Sequence, residues 1–147
     1  MEPDKHNAFF FRFEDLRIYH KALDYVTWVH GLSRNWQGAE DLSRQFNCAA
    51  HSIAVNIAEG SGRNKTQFVY YLKMAKSSIR ECIVLTTIAN RRELISEEQN
   101  EDSRQYLIEM TKMVGALISS LQRSLKGSES HDEDETDLID EFNRYNP

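Results

Sequence analysis

The chain has 147 residues, of which 40% are hydrophobic, so it can form one domain with a core. Only two prolines and six glycines interrupt it, which favours an all-α protein over one built from many strands. No apolar stretch is long enough for a bilayer, and the first residues lack the pattern of a signal peptide. Cys48 and Cys82 are too few for a disulfide framework, and we interpret them as reduced core residues of a cytoplasmic protein.

The net charge of −5 is distributed unevenly along the chain. From Lys126 onward there are eight acidic and two basic residues, a net of −6, which leaves +1 for residues 1–125. We therefore predict a four-helix bundle domain over residues 1–125 and a flexible acidic tail over residues 126–147. The tail is predicted to be disordered from about Gly127 to Thr136, because so polar a segment buries too little surface to order itself. Its charge does not exclude a polyanionic partner for the bundle.

Helix one is predicted from about Glu14 to Arg34, and it carries two apolar stripes at helical spacing. One stripe is Leu16, Tyr19, Leu23, Val26 and His30, and the other is Ile18, Tyr25, Val29 and Leu32. A lone amphipathic helix needs one stripe, so two stripes indicate two packing partners.

Helix two is predicted from about Asp41 to Glu59. Residues 45–58 contain no Asp, Glu, Lys or Arg, which indicates burial on almost every side. A short four-helix protein has difficulty burying a helix all round by itself. We therefore infer that subunits associate and that helix two lies close to their contact.

Helices three and four both have recognisable first turns. The pairs Asn64–Gln67 and Ser96–Gln99 have the spacing of an N-cap and its reciprocal partner, so the two helices are predicted to begin there. The predicted apolar face of helix three is Phe68, Tyr71, Leu72, Ala75, Ile79, Cys82, Thr86 and Ala89, and that of helix four is Tyr106, Met110, Met113, Leu117 and Leu121.

The stretch NIAEGSGRN, residues 56–64, is predicted to be the corner between helices two and three. Gly60 is predicted to end helix two in the left-handed conformation, and Gly62 to loosen the turn. A phosphate-binding loop would need a preceding strand and a longer glycine pattern. Glu59 is at the negative end of the helix dipole, so we expect it to pair with Arg63 rather than to act in catalysis.

Other polar residues could belong to a metal site or a catalytic site, but the further residues that such a site requires are missing. Cys48 and His51 share one face of a helix, but zinc requires about four ligands. Ser52 and Asn56 lie one turn apart, and we expect hydrogen bonds to a neighbouring helix rather than nucleophilic catalysis. No glutamate has a histidine three residues later, as a carboxylate-bridged metal site in a bundle would need. The sequence therefore predicts no catalytic residue, no metal and no cofactor.

A basic face on helix three is the best candidate for a binding site. Residues 60–92 contain seven basic residues and one acidic residue, Glu81. Such a face could contact phosphates, with marked salt dependence and little base specificity, or it could be only a solvated surface. The predicted nucleic-acid-binding residues are Arg63, Lys65, Lys73, Lys76, Arg80 and Arg91.

The chain resembles a family of four-helix bundles that contains the 23S rRNA intervening-sequence proteins and the accessory proteins of diversity-generating retroelements. The resemblance runs from about Phe13 to Leu121 and begins with FEDLRIYHKA in helix one. Helices two and three carry the remaining family motif, at Leu42, Gln45, Ala49, Ser52, Ile53, Asn56, Ile57, Ala58, Glu59, Gly60, Gly62, Arg63, Phe68, Leu72, Ala75, Ser78 and Glu81. Of these, the residues assigned to a structural motif are Ser52, Asn56, Glu59, Gly60, Gly62 and Glu81.

The resemblance implies an up-and-down bundle that assembles into a ring, typically of five subunits, without enzymatic activity. In the retroelement branch the ring binds nucleic acid and a reverse transcriptase. We therefore expect a non-enzymatic homo-oligomer, a pentamer, that binds RNA or DNA, and a reverse transcriptase if the chain follows that branch. The alternative is a protein-interaction or structural scaffold without nucleic-acid contact. The tail is either a solubilising appendage or a competitor for the basic face.

Overall fold

A computed structural model describes residues 11–127 of the chain. A short 3-10 helix, Arg12–Asp15, is followed by four α-helices: α1 (Arg17–Ser33), α2 (Glu40–Ser61), α3 (Lys65–Arg91) and α4 (Glu97–Gly127). Each packs on its neighbour along the chain, and α4 returns to α1, which makes an up-and-down four-helix bundle. The predicted all-α fold class is thereby confirmed. Of the segment predicted to be disordered, only residue 127 lies within the described residues. The rest of that prediction lies outside them.

The two predicted capping sites are present at the starts of α3 and α4. The Asn64 side chain accepts a hydrogen bond from the backbone N–H of Gln67 at 2.9 Å. At α4 the exchange is reciprocal: Ser96 accepts from the N–H of Gln99 at 3.0 Å, and Gln99 accepts from the N–H of Ser96 at 2.9 Å. These bonds satisfy backbone donors that the first helical turn leaves without partners.

The core confirms one stripe of α1 and part of the other. Ile18, Tyr25 and Val29 are fully buried; on the other stripe Leu16 is fully buried, whereas Leu23 is 37% exposed.

In α2 the face carrying Phe46, Ile53 and Ile57 is buried, while Cys48, His51 and Val55 are exposed. Burial of α2 on almost every side would therefore require the association of subunits inferred from the sequence, and this stays a prediction.

Gly60 has a different role from the predicted one. Helix α2 continues through it to Ser61, and the glycine with positive φ among the described residues is Gly38. A Cβ at Gly60 would lie 2.6 Å from the Cβ of Tyr71 and 2.9 Å from Cδ2 of Phe68. The left-handed termination was therefore wrong. Gly60 instead allows α2 and α3 to approach each other closely beside the corner that joins them.

The two cysteines differ in burial, although the sequence placed both in the core. Cys82 is buried on α3, and this burial raises the pKa of its thiol to about 12. Cys48 is exposed on α2, so its assignment to the core was wrong. Within residues 11–127 no three His, Cys, Asp or Glu side chains form a group that could hold a metal ion. No helix in this part of the chain is long and apolar enough to cross a membrane.

Candidate nucleic-acid interface

A polar seam joins α2 to α3 beside the outer surface of the bundle. The hydroxyls of Ser52 and Ser78 are hydrogen-bonded at 2.8 Å across the two helices. Asn56 donates to the backbone oxygen of Ser52 at 2.8 Å and to its hydroxyl at 3.1 Å. The expectation of a hydrogen bond to a neighbouring helix is confirmed for Ser52, whereas the hydrogen bonds of Asn56 are to Ser52 within α2. The seam sets the register of α3 against α2, and so decides which face of α3 points outward.

The α2–α3 corner holds Arg63 in place. Its guanidinium donates to the Glu59 carboxylate at 3.2 Å, as predicted, and lies 5.4 Å from the centre of the Tyr71 ring. Both charged side chains are about half exposed, so the pair adds at most about 1 kcal/mol. Gly62 is the C-cap of α2 and is exposed. Arg63 therefore already has two partners and is less available to a ligand than the sequence suggested.

The remaining predicted cations form what we call the basic strip: Lys73, Lys76, Arg80 and Arg91. All four are exposed on the outer face of α3. At 100° per residue they lie within about 60° of one another, and they span roughly 27 Å of helix axis. No ion pair links any of them to a carboxylate within residues 11–127. Their charges consequently face solvent without local neutralisation.

Lys65 differs from the basic strip, although it belongs to the same predicted set. It is half buried, and its ammonium donates to the Ser124 hydroxyl of α4 at 2.5 Å. This contact places the end of α4 beside the start of α3. Of the six predicted binding residues, four thus form one exposed row, while Arg63 and Lys65 connect parts of the fold.

Beside the basic strip lies an exposed apolar surface that sequence reasoning missed. We call Tyr70, Met74, Val84 and Ile88 the apolar strip; they are 61%, 39%, 57% and 38% exposed. Helical geometry places this strip between the basic strip and the side of α3 that faces α2. Val55 is also exposed, to 61%, on α2. The spacing of positions 70, 74, 77, 81, 84 and 88 was the available signal, although the polar residues Ser77 and Glu81 occupy two of these positions.

A buried hydrogen-bond network behind this face connects three helices. Ser103 of α4 shares hydrogen bonds with the Tyr25 hydroxyl of α1 at 2.8 Å and with the Thr86 hydroxyl of α3 at 2.7 Å. Thr86 also donates to the backbone oxygen of Cys82 at 2.7 Å. Burial raises the pKa of Tyr25 far above its ordinary value, so the hydroxyl stays protonated. The network fixes α1, α3 and α4 relative to one another, and it holds α3 firmly behind the basic strip.

The geometry of the outer face suits contact with a polyanion better than catalysis. Cations in a row on a rigid helix can neutralise successive phosphates and release their counterions. Contacts of this kind to phosphates would position a nucleic acid without reading its sequence. The Glu81 carboxylate, also exposed on α3, lies on the side of the apolar strip rather than within the basic row.

Comparison with known proteins agrees with this architecture. A family model described as 23S rRNA-intervening sequence protein matches residues 14–116. A crystal structure of a protein of unknown function from the S23 ribosomal protein family of Bacteroides thetaiotaomicron is 22% identical, with a TM-score of 0.65. That alignment covers 69% of this chain and 95% of the other, and at this identity it shows the fold alone. No curated protein matches the chain. Neither description names an enzyme.

Proposed function

This chain belongs to the family of 23S rRNA-intervening sequence proteins, and we propose on this premise that it is a non-enzymatic, homo-oligomeric accessory protein that binds nucleic acid. The binding surface is the basic strip on the outer face of α3. The partner is RNA or DNA contacted through its phosphates, with little sequence preference. The protein acts in the cytoplasm, where its two thiols remain reduced.

The observation that carries this proposal is the alignment of four exposed cations along one face of α3, none of them in an ion pair within residues 11–127. Exposed cations elsewhere, such as Arg34, Arg104 and Lys112, also have no ion pair there, but they lie on α4 or beyond the end of α1 and do not belong to this row. Described residues 11–127 contain sixteen Lys and Arg against thirteen Asp and Glu. This part of the chain is therefore mildly basic, although the net charge of the whole chain is negative.

Self-association is proposed through the uncharged outer face of α2, where Cys48, His51 and Val55 are exposed. Val55 is 61% exposed, and each Å² of apolar area removed from water contributes about 25 cal/mol. Packing this face of α2 against another copy would leave the basic strip of α3 open. Repetition round a ring, with five subunits as the proposed number, would multiply the basic strips available to one polyanion and raise avidity.

The narrower proposal of a reverse-transcriptase partner rests on resemblance to the retroelement branch alone. The exposed apolar strip favours a second candidate, a protein scaffold that uses the same surface without nucleic acid. The two functions differ in their salt dependence. Phosphate contacts weaken steeply as salt rises, whereas burial of apolar surface does not.

Titration of the full-length protein into labelled single-stranded RNA, duplex RNA and duplex DNA at low salt tests the proposal. Fluorescence anisotropy should show binding to these polyanions with similar affinity for unrelated sequences. The affinity should decrease linearly in logarithm as the logarithm of salt concentration rises. If neither the full chain nor the chain without its acidic segment binds any of them at about 20 mM salt, nucleic-acid binding is rejected. The scaffold function then remains.

A further inference from the structure

We propose that the acidic segment that follows α4 docks on the outer face of α3 of its own chain, covering the basic and apolar strips together. This inference goes beyond nucleic-acid binding and does not depend on it. It assigns an occupant to a surface that is exposed within residues 11–127, and the occupant is residues 132–142.

Charge complementarity is the first support. Five of the six residues from Asp132 to Asp137 are acidic, and no basic residue interrupts them. The basic strip opposite has four cations without ion-pair partners in the described chain. At physiological salt such charges attract one another over about 8 Å, and several act together once the segments align.

Position is the second support. The hydrogen bond between Lys65 and Ser124 brings the end of α4 beside the start of α3. From Lys65, helix α3 carries Lys73 about 12 Å and Arg80 about 22 Å along its axis. An extended chain leaving Gly127 reaches about 17 Å at Asp132 and about 33 Å at Asp137. The acidic residues can therefore lie along Lys73, Lys76 and Arg80 without moving α4.

Apolar residues on both partners are the third support. After the acidic run the sequence continues with an apolar triplet, Leu138, Ile139 and Phe142. The apolar strip flanks the cations of α3 at Tyr70 and Met74 and continues past Arg80 at Val84 and Ile88. The triplet can therefore contact the apolar strip when the acidic run lies along the cations. A purely solubilising segment has no need of three large apolar residues in this position.

Attachment to α4 makes the docking favourable even if each contact is weak. A short covalent connection gives an effective concentration in the millimolar range, so a segment with millimolar affinity would be docked for about half of the time. Binding would cover the cations that nucleic acid needs. Where the proposed function holds, the segment therefore acts as a competitor that a polyanion must displace.

Zero-length cross-linking of the full chain tests the docking directly. A carbodiimide joins carboxylates to lysine amines only where they touch, and mass spectrometry identifies the joined peptides. We expect carboxylates of residues 132–141 to link to Lys73 and Lys76 at least tenfold more often than to Lys112. Lys112 is a matched control because it is exposed on α4 and lies about 22 Å from Gly127 along the helix.

Two further measurements separate this docking from general charge attraction. The variant L138S/I139S/F142S keeps every carboxylate, and it should lower the Lys73 and Lys76 links several-fold. An equal mixture of ¹⁵N-labelled and unlabelled protein should give links whose two peptides carry the same label. Equal linking to Lys112, no effect of the triple variant, or links mainly between differently labelled chains would overturn the proposal.

The outcome is independent of the proposed nucleic-acid function, because cross-linking uses the protein alone. If the docking occurs and no polyanion binds even after removal of residues 128–147, the docking stands and the nucleic-acid function fails. If nucleic acid binds with the same affinity before and after that removal and no Lys73 link forms, the nucleic-acid function stands and the docking fails.

Discussion

Gly60 of α2 lies so close to Tyr71 of α3 that a Cβ on the glycine would be 2.6 Å from the Cβ of Tyr71. The Cβ of Tyr71 is fixed by its own backbone, so it cannot rotate away to make room for a side chain at position 60. The contact is next to the corner that sets the direction of α3. The orientation of the outer α3 face thus depends on position 60 being a glycine, which has no side chain.

We expect Gly60→Ala to destabilise the fold by about 1–3 kcal/mol, because the methyl group overpacks the contact with Tyr71 and Phe68. Urea unfolding measures the change. Gly115→Ala is the matched control, since a Cβ there meets nothing within 4 Å and alanine favours a helix by roughly 0.5–1 kcal/mol. Gly60→Asn separates the two explanations for the glycine: crowding makes it at least as harmful as alanine, whereas a left-handed terminator would tolerate it.

We expect Ser103→Ala to cost about 1–3 kcal/mol, because it removes the shared partner of the buried Tyr25 and Thr86 hydroxyls. Ser77→Ala is the control, since that hydroxyl is exposed and bonds only the preceding turn. Its effect should remain within about 0.5 kcal/mol. Equal unfolding midpoints for the two variants would show that the buried network does not stabilise the bundle.

Stability should decrease as pH rises from about 8 to 10. Burial raises the pKa of Cys82 from 9.0 to about 12, so in this range the unfolded chain loses a proton that the folded chain keeps. Ionisation thus favours the unfolded state, by about 1.4 kcal/mol at pH 10 for this group. Cys82→Ala should remove most of this pH dependence, whereas Cys48→Ala, at an exposed position, should leave it intact. A pH dependence of unchanged size in Cys82→Ala would contradict the assignment.

The self-association surface can be tested with a charged pair of substitutions. We expect Cys48→Glu with Val55→Glu to convert the oligomer to monomers, because the two carboxylates would be buried in the contact. Leu23→Glu with Ile108→Glu is matched in charge and also lies at exposed positions, but on α1 and α4, and it should leave the oligomer intact. Sedimentation velocity measures both variants. A monomeric parent protein, or dissociation by the control pair alone, would show that the outer face of α2 does not join subunits.

Local sequence patterns predicted the helix starts well, because capping is a contact between near neighbours. Asn64 and Ser96 needed only Gln67 and Gln99 to be identified. The ion pair of Glu59 with Arg63 was accessible for the same reason. The basic strip also followed from periodicity, since helical geometry alone brings Lys73, Lys76 and Arg80 to one face.

Features that depend on residues distant in sequence could not be predicted from local sequence patterns. Gly60 was assigned to a left-handed turn because the same residue type serves both a turn and a close approach, and only the position of Tyr71 distinguishes them. The exposure of Cys48 required knowledge of which side of α2 has neighbours. The hydrogen bond between Tyr25 and Ser103 joins positions 78 apart in sequence, and no local pattern indicates it.

The salt dependence of nucleic-acid binding directly tests whether the basic strip contacts phosphates. The variants to compare are K73A/K76A/R80A and a control, R34A/R104A/K112A, which removes three exposed cations from elsewhere on the bundle. Both change the net charge equally. We expect the first variant alone to reduce the slope of log affinity against log salt by roughly 2–3 units and to weaken binding at low salt. Equal slopes for the parent protein and both variants would contradict it.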